Sequence, residues 1–425
     1  MTTGAVFDEL AGQDAVVEQL RQAATAAVPA RSPGHPSGHP PARPATRPSG
    51  RPATRPVGAG MTHAWLFTGP PGSGRSVAAR AFAAALLCDR QGCGECPSCR
   101  QVTVGSHADL LLVRPDGLSY GVRQTRDLVL RAAAAPIYGR WRVVLFEDAD
   151  RATEQAANAL LKAIEEPAPR TVWLLCAPSA DDLPTTIRSR CRLITLRTPS
   201  SAAVAAVLAR QGIGHEQALV AARAAQGHIG RARRLATDPQ AAARRAEVLQ
   251  LPVRLGAPRL GAPRPGGGVG QALAAAAALV KAADTETTAV TEELDAPERE
   301  AMRQAFGEGS TGKGVASAIR GAAGALKELE DRQKSRATRV KRDSLDRALL
   351  DLAGFYRDVL AIQFGADVEL ANAGQRGDLG QLAAACAPAS TVRRIAAIMK
   401  CRERLAANVA PLLAVEEMAL ALAAR

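Results

Sequence analysis

The stretch HAWLFTGPPGSGRSVAARAFAAALLC, residues 63–88, constrains the fold more than any other part of the chain. An apolar run (63–69) reads as a buried strand, GPPGSGRS (69–76) as a glycine loop, and 76–88 as a helix. Strand, glycine loop and helix in that order form the setting of a phosphate-binding loop. Gly69, Gly72 and Gly74 let backbone N–H groups turn inward on an anion, and the helix that follows offers its positive N-terminus. Ser76 stands where a hydroxyl would hold Mg2+. The pattern G-x-x-x-x-G-K-[ST] asks for lysine where this chain has Arg75. The planar guanidinium fork differs from the compact ammonium that reaches the outer phosphates, so loop geometry can survive while catalysis does not. A glycine turn that only packs a helix on a sheet is the alternative.

Further strands and helices alternate downstream. WRVVLFEDAD (141–150) reads as a buried strand ending in acids, TEQAANALLKAIEEP (153–167) as a helix stopped by proline, and TVWLLCAP (171–178) as a second buried strand. That alternation predicts a parallel α/β sheet. Glu147 and Asp148 fall where a nucleotidase keeps one acid for Mg2+ and one to polarise the attacking water. Their order is the reverse of the usual Asp-Glu, which displaces each carboxylate by about one methylene and mars in-line attack. Solvated acids at a capped strand end are the alternative.

Cys88, Cys93, Cys96 and Cys99 lie close together in CDRQGCGECPSC. They supply a tetrahedral thiolate set for Zn2+ that leaves no position for water, hence a structural site; free thiols are the alternative. Cys176, Cys191, Cys386 and Cys401 are scattered and read as core residues. Arg190, in LPTTIRSRC (183–191), is either a surface charge or an arginine finger reaching a neighbour's nucleotide.

Composition bounds the rest. At 425 residues there is room for two or three domains, and 47% hydrophobic with only 3% aromatic residues predicts helices packed through small side chains. No uncharged apolar run reaches membrane-spanning length, and the start has no signal pattern, so a soluble, cytoplasmic chain with no membrane partner is expected. The formal charge of +13 suggests nucleic acid, but residues 31–60 hold five arginines and no acids in a prolyl repeat. Such a segment cannot bury a core and is expected to be extended and disordered.

GPPGSGRS, the C-x4-C-x2-C-x2-C insert after it, NALLKAIEEP and SRC, in this order and spacing, resemble a bacterial DNA polymerase III clamp-loader subunit. That family comprises the ATPase gamma/tau subunits and the delta-prime subunit. The resemblance covers roughly residues 5–240 without the prolyl insert. It is weaker over 271–425, where ELEDRQKSRATRVKRDSLDRALLDLAGFYRDVL resembles actinobacterial members. It implies an AAA+ α/β core over 1–199, with a Pro/Arg-rich insert at 29–60 and a zinc module at 88–99. A helical lid over 200–249, a flexible linker over 250–270 and an all-α collar over 271–425 would follow.

Carried over residue by residue, the resemblance makes Cys88, Cys93, Cys96 and Cys99 the zinc ligands, though the first gap is shorter than usual. It makes Arg190 of Ser189-Arg190-Cys191 the arginine that acts in trans on ATP in the next subunit, and Arg231, in GHIGRARRL, the lid's sensor arginine. The first sensor position falls near Ala177 or Pro178, so its polar group is missing or displaced to Ser179. With Arg75 and the Glu147-Asp148 order, that makes three departures from the ATP-hydrolysing members.

The implied function is that of delta-prime, a stator of the DNA polymerase III holoenzyme with no ATPase activity of its own. It would assemble with gamma/tau and delta to load the beta sliding clamp on primed DNA, with ATP and Mg2+ held, if at all, at an altered site. One alternative is an active gamma/tau-type ATPase in which Arg75 replaces lysine. Another is a zinc-bearing DNA-binding module, motivated by Arg332, Lys334, Arg336, Arg339, Lys341 and Arg342.

Overall fold

The computed structural model describes residues 5–27, 60–115, 117–256, 267–306 and 315–424. The prolyl insert expected at 29–60 lies, except for Gly60, outside the described residues, as does 257–266 of the expected linker. The chain forms two compact units, one of residues 1–115 and 119–203, the other of 116–118 and 204–425.

In the first unit the elements follow as α1 (Asp14–Ala26), β1 (Ala64–Thr68), α2 (Arg75–Leu87), α3 (Pro97–Val104), β2 (Leu110–Val113) and α4 (Val122–Ala132). Then come β3 (Arg142–Phe146), α5 (Glu154–Glu165), β4 (Thr171–Ala177), α6 (Thr185–Arg188) and β5 (Arg192–Thr195). The strands form one parallel sheet in the order β2-β3-β4-β1-β5. Residues of β1, β3 and β4 are buried throughout, as expected when helices cover both faces of a parallel sheet. The two-residue period of a strand separates the layers. Trp65 and Phe67 pack with Phe82 and the alanines of α2, whereas Ala64 and Leu66 pack with Leu128 of α4 and Leu160 of α5. Trp65 meets Phe82 edge-on at 4.9 Å between ring centroids. This sheet with flanking helices fits the expected AAA+ core. Its register brings the C-terminal ends of β1, β3 and β4 side by side, with Phe67 opposite Cys176 and Phe146 opposite Leu175.

The second unit is helical, with α7 (Ser201–Arg210) leading into it across its boundary. It contains α8 (His215–Ala225), α9 (Ile229–Thr237), α10 (Pro239–Gly256), α11 (Gly267–Phe306), α12 (Val315–Gln363), α13 (Arg376–Ala385), α14 (Pro388–Ala406) and α15 (Pro411–Ala423). Leu345, Leu349, Leu352 and Phe355 of α12 pack with Leu379, Ile398, Val415 and the alanines of α11. Helix α10 runs through Pro252 to Gly256, over the first residues expected as linker. Leu249 and Leu255 on either side of that proline are buried in the same core. Their burial, about 1.5–3 kcal/mol each, offsets the roughly 3 kcal/mol cost of an interior proline. Among the described residues no single helix is long and apolar enough to cross a membrane.

Candidate functional site: the glycine loop and its surroundings

The glycine loop leaves β1 at Thr68 and enters α2 at Arg75. Gly69 adopts φ +151°, and a Cβ there would lie 2.6 Å from both the Leu196 carbonyl oxygen and Ser73 Oγ, so only glycine fits. Gly72 and Gly74 also have positive φ, and Gly74 precedes the first turn of α2. The loop is anchored from both sides. The Gly69 N–H donates to the Pro178 carbonyl at 3.1 Å, and buried Gln13 donates through Nε2 to the Ser73 carbonyl of the loop at 3.5 Å and to the Arg197 carbonyl at 2.5 Å.

Arg75 does not extend away from the loop. Its Nη1 donates to the Gly69 carbonyl oxygen at 2.8 Å, closing the loop on itself. Cys176 stands at the end of β4 near Ser76, where burial pushes the thiol up and Glu147 pushes it further.

The acids after β3 are drawn into the protein as well. Glu147, 13% exposed at its side chain, pairs with Arg80 Nη2 of α2 at 3.1 Å and Arg114 Nε at 2.9 Å. Tyr120 Oη donates to the Glu147 backbone carbonyl at 2.5 Å. Both carboxylate oxygens therefore already accept from guanidinium groups. Asp148 sits at φ +49°, with Arg151 Nε 3.9 Å from its carboxylate. Asp150, two residues on, has its carboxyl raised by burial and by Asp148, against the pull of Arg151 and Arg75. Gly69, Gly72, Gly74, Arg75, Ser76, Glu147 and Asp148 thus form one neighbourhood at the sheet's C-terminal edge. Ser179, where the displaced sensor polarity was expected, accepts from Asp181 N–H at 3.2 Å and caps a short turn with Asp182.

Arg190 lies in the turn between α6 and β5, about one-third exposed. Its Nη2 contacts Glu165 Oε1 at 2.9 Å, and its Nη1 donates to the Thr186 carbonyl at 2.8 Å. Glu165 belongs to the NALLKAIEEP helix, so two of the sequence motifs meet here. An exposed pair of this kind is worth about 0–1 kcal/mol, so Arg190 can exchange partners at little cost.

Arg231 lies in the second unit, the other site residues in the first. Its guanidinium pairs with Asp351 of α12, which also accepts from Arg245 Nε at 2.8 Å.

The four clustered cysteines converge. All four Sγ atoms lie within 4.8 Å of one another, with Cys88–Cys93 at 3.8 Å and Cys88–Cys96 at 3.6 Å. Tetrahedral Zn–S bonds of about 2.3 Å would place the sulfurs roughly 3.8 Å apart, so the donor set fits zinc. Cys96 caps α3 by accepting from the Cys99 N–H at 3.4 Å. Burial raises the Cys93 thiol, but the N–H groups of Glu95 and Cys96 outweigh it and bring it to about 6. Gly92, at φ +90° in the knuckle, has Val6 against it where a side chain would stand.

The basic stretch of α12 is largely satisfied internally. Arg336 pairs with Asp295 at 2.6 Å and Glu298 at 2.7 Å, Lys341 with Asp284 at 2.5 Å, and Arg339 with Asp343 at 3.7 Å. Arg332 and Lys334 are exposed. Much of this charge balances neighbouring helices rather than forming an open cationic face.

Sequence reasoning did not find Arg80, Arg114, Glu165 or Asp351. A charge on a helix or loop carries no local mark of which distant acid it will meet.

Residues 58–200 match the family model described as DNA polymerase III, delta subunit. The chain is 40% identical over 154 residues to DNA polymerase III subunit delta' of Pseudomonas aeruginosa, covering 35% of this chain and 47% of that protein. It is 36% identical over 179 residues to the tau/gamma subunit of Haemophilus influenzae, covering 40% of this chain and 26% of that protein. A solved gamma subunit-related protein of Thermotoga maritima aligns with 76% of this chain and 94% of its own, at 16% identity and a TM-score of 0.34, too low to carry an argument. The chain therefore spans about half the length of the delta-prime relative and a quarter of the tau/gamma relative. The resemblance to bacterial DNA polymerase III clamp-loader subunits holds over this region, and relatives of both kinds share it.

Proposed function

We propose that this chain is the delta-prime-type subunit of a DNA polymerase III clamp loader. It joins gamma/tau and delta subunits in a ring that opens the beta sliding clamp and sets it on primed DNA in the cytoplasm. It acts as a stator, with no ATP turnover of its own. The observation that carries this reading is the capture of Glu147 by Arg80 and Arg114. An acid that must hold Mg2+ or polarise a water needs a free lone pair facing the nucleotide, and here the carboxylate faces two guanidiniums. Arg75, bonded to Gly69, points the same way. The loop is a scaffold: it packs α2 on the sheet and holds ATP and Mg2+ weakly or not at all.

The chain's contribution to turnover is Arg190, one-third exposed in the first unit and held by its pair with Glu165 and a bond to the Thr186 carbonyl, both of which it can exchange. In the ring it reaches the γ-phosphate of ATP bound by an adjacent gamma/tau subunit. Cys88, Cys93, Cys96 and Cys99 hold a structural Zn2+ that fixes α3 to the end of α2. Arg231, paired to Asp351, braces the helical unit.

The test is reconstitution with gamma/tau and delta. Loss of a finger costs on the order of 10³-fold at the site it serves, so Arg190→Ala is expected to assemble normally while DNA-stimulated turnover and clamp loading fall. Unchanged turnover in the assembled ring would overturn the trans role.

A further inference from the structure

We propose that a cleft of about 380 Å3 lined by α9, α10, α11 and α12 and open to solvent on one side binds a phosphate monoester carried on an apolar body of mononucleotide size. The cavity lies wholly within the second unit, away from the glycine loop, and the inference does not depend on the clamp-loader reading. Its volume falls in the range of small-molecule sites.

Its charge is unusually dense for a cleft whose remaining wall is apolar. Glu286, 8% exposed at its side chain, is shared by Arg234 Nη2 at 2.6 Å and Arg347 Nη2 at 2.9 Å, with Ser344 Oγ donating at 2.5 Å. Asp351, equally buried, is shared by Arg231 and by Arg245 Nε at 2.8 Å. Four guanidiniums thus converge on two carboxylates. Arg244 and Arg254 add to the wall, with Glu247 the one further acid on it. Asp238, outside the wall, stands 3.6 Å from both Arg234 and Arg244.

Six arginines line the wall against three acids, and the side chains of Arg234 and Arg347 are 39% and 36% exposed, so each can turn part of its fork to a solute anion while holding Glu286. Burial draws the Arg347 guanidinium down, and Arg234 and Arg231 add to that pull against Glu286 and Asp343. A dianionic phosphate would supply the missing negative charge, and the arginine fork matches two phosphate oxygens at once. The rest of the wall is apolar, with Leu235, Leu251, Leu279 and Leu345 facing the same space. That half suits a flat apolar body such as a nucleobase and gives inorganic phosphate no comparable hold.

The test is calorimetric titration of the full chain with AMP, and separately with orthophosphate and adenosine. Saturable AMP binding is expected, at least about tenfold tighter than either half-ligand and weakening as salt rises. Ala282→Trp fills the cavity without removing a charge, and Arg347→Met removes one guanidinium. Each is expected to weaken AMP at least about tenfold. Should circular dichroism show Ala282→Trp unfolded, Ala278→Trp at the rim takes its place with the same expectation. Hydrogen exchange with AMP bound is expected to protect α9 to α12. Absence of saturable AMP binding at millimolar concentration, binding indifferent to the filling substitution, or protection confined to 69–76 would each overturn the assignment.

Discussion

Arg75 donates a 2.8 Å hydrogen bond to the carbonyl oxygen of Gly69, six residues earlier, so the cation of the glycine loop is spent on the loop's own backbone. A lysine ammonium in that place would be a compact, mobile charge; the guanidinium is a brace. Arg75→Ala is expected to destabilise the first unit by about 1 kcal/mol, the net worth of such a bond. Arg75→Lys is expected to confer no ATP turnover, because Glu147 stays between Arg80 and Arg114. Urea titration checks the first expectation and phosphate release the second. The three tryptophans, Trp65, Trp141 and Trp173, all lie in the first unit, so their fluorescence reports its unfolding alone.

Glu147→Ala leaves Arg80 without its carboxylate, although the Arg80 Nε is already buried without a partner. Breaking a buried pair costs 3–5 kcal/mol, and the half-exposed Arg114 keeps access to water, so a loss of about 2 kcal/mol is expected. A catalytic acid commonly shows the opposite sign, since relieving a strained site stabilises. A rise in the tryptophan-monitored urea midpoint would argue against a structural role for Glu147.

Asp109 sets a pH dependence. Its side chain is fully buried, accepts from the N–H groups of Ile137, Tyr138 and Gly139 at 2.5, 2.8 and 2.6 Å, and faces Arg142 at 3.8 Å. Burial pushes the carboxyl up, but the three donors outweigh it and hold it below the usual aspartate range. A carboxyl depressed by folding contributes stability above its unfolded pKa of about 3.9, and that contribution is lost as pH falls toward the folded value. Asp109→Asn is expected to cost roughly 3 kcal/mol at neutral pH and to flatten the acid limb of stability below about pH 4. Tryptophan-monitored urea midpoints between pH 3 and 7 measure both, on the scale of that reference pKa.

The cysteine cluster predicts one bound zinc per chain, lost on Cys99→Ser and on strong chelation. Apo protein is expected to lose order over α3 and the knuckle before it, while the sheet persists. Metal content by elemental analysis and exchange protection at 88–104 check this, and normal protection in metal-free protein would refute a structural zinc.

Three of the five strands were legible because 63–69, 141–150 and 171–178 are short apolar runs bounded by glycine, acids or proline, whereas β2 and β5, four residues each, carry too short a pattern to stand out. The thiolate cluster was legible because its spacing is local. Glu147 illustrates where reading along the chain stops. Its inversion with Asp148 was visible, but its capture depends on Arg80 and Arg114, which are 67 and 33 residues away. Arg231 repeats the lesson, since Asp351 lies on a helix reached only through the tertiary packing of α12. The linker expected from residue 250 starts later than that: burial of Leu249 and Leu255 carries α10 through Pro252 to Gly256.

The most direct measurement is ATP hydrolysis by the purified chain alone, with Mg2+ and with primed DNA present. With Glu147 held by two arginines and Arg75 by Gly69, phosphate release is expected to stay at the level of a no-protein blank. Turnover well above that blank, abolished by Asp148→Asn, would contradict the account.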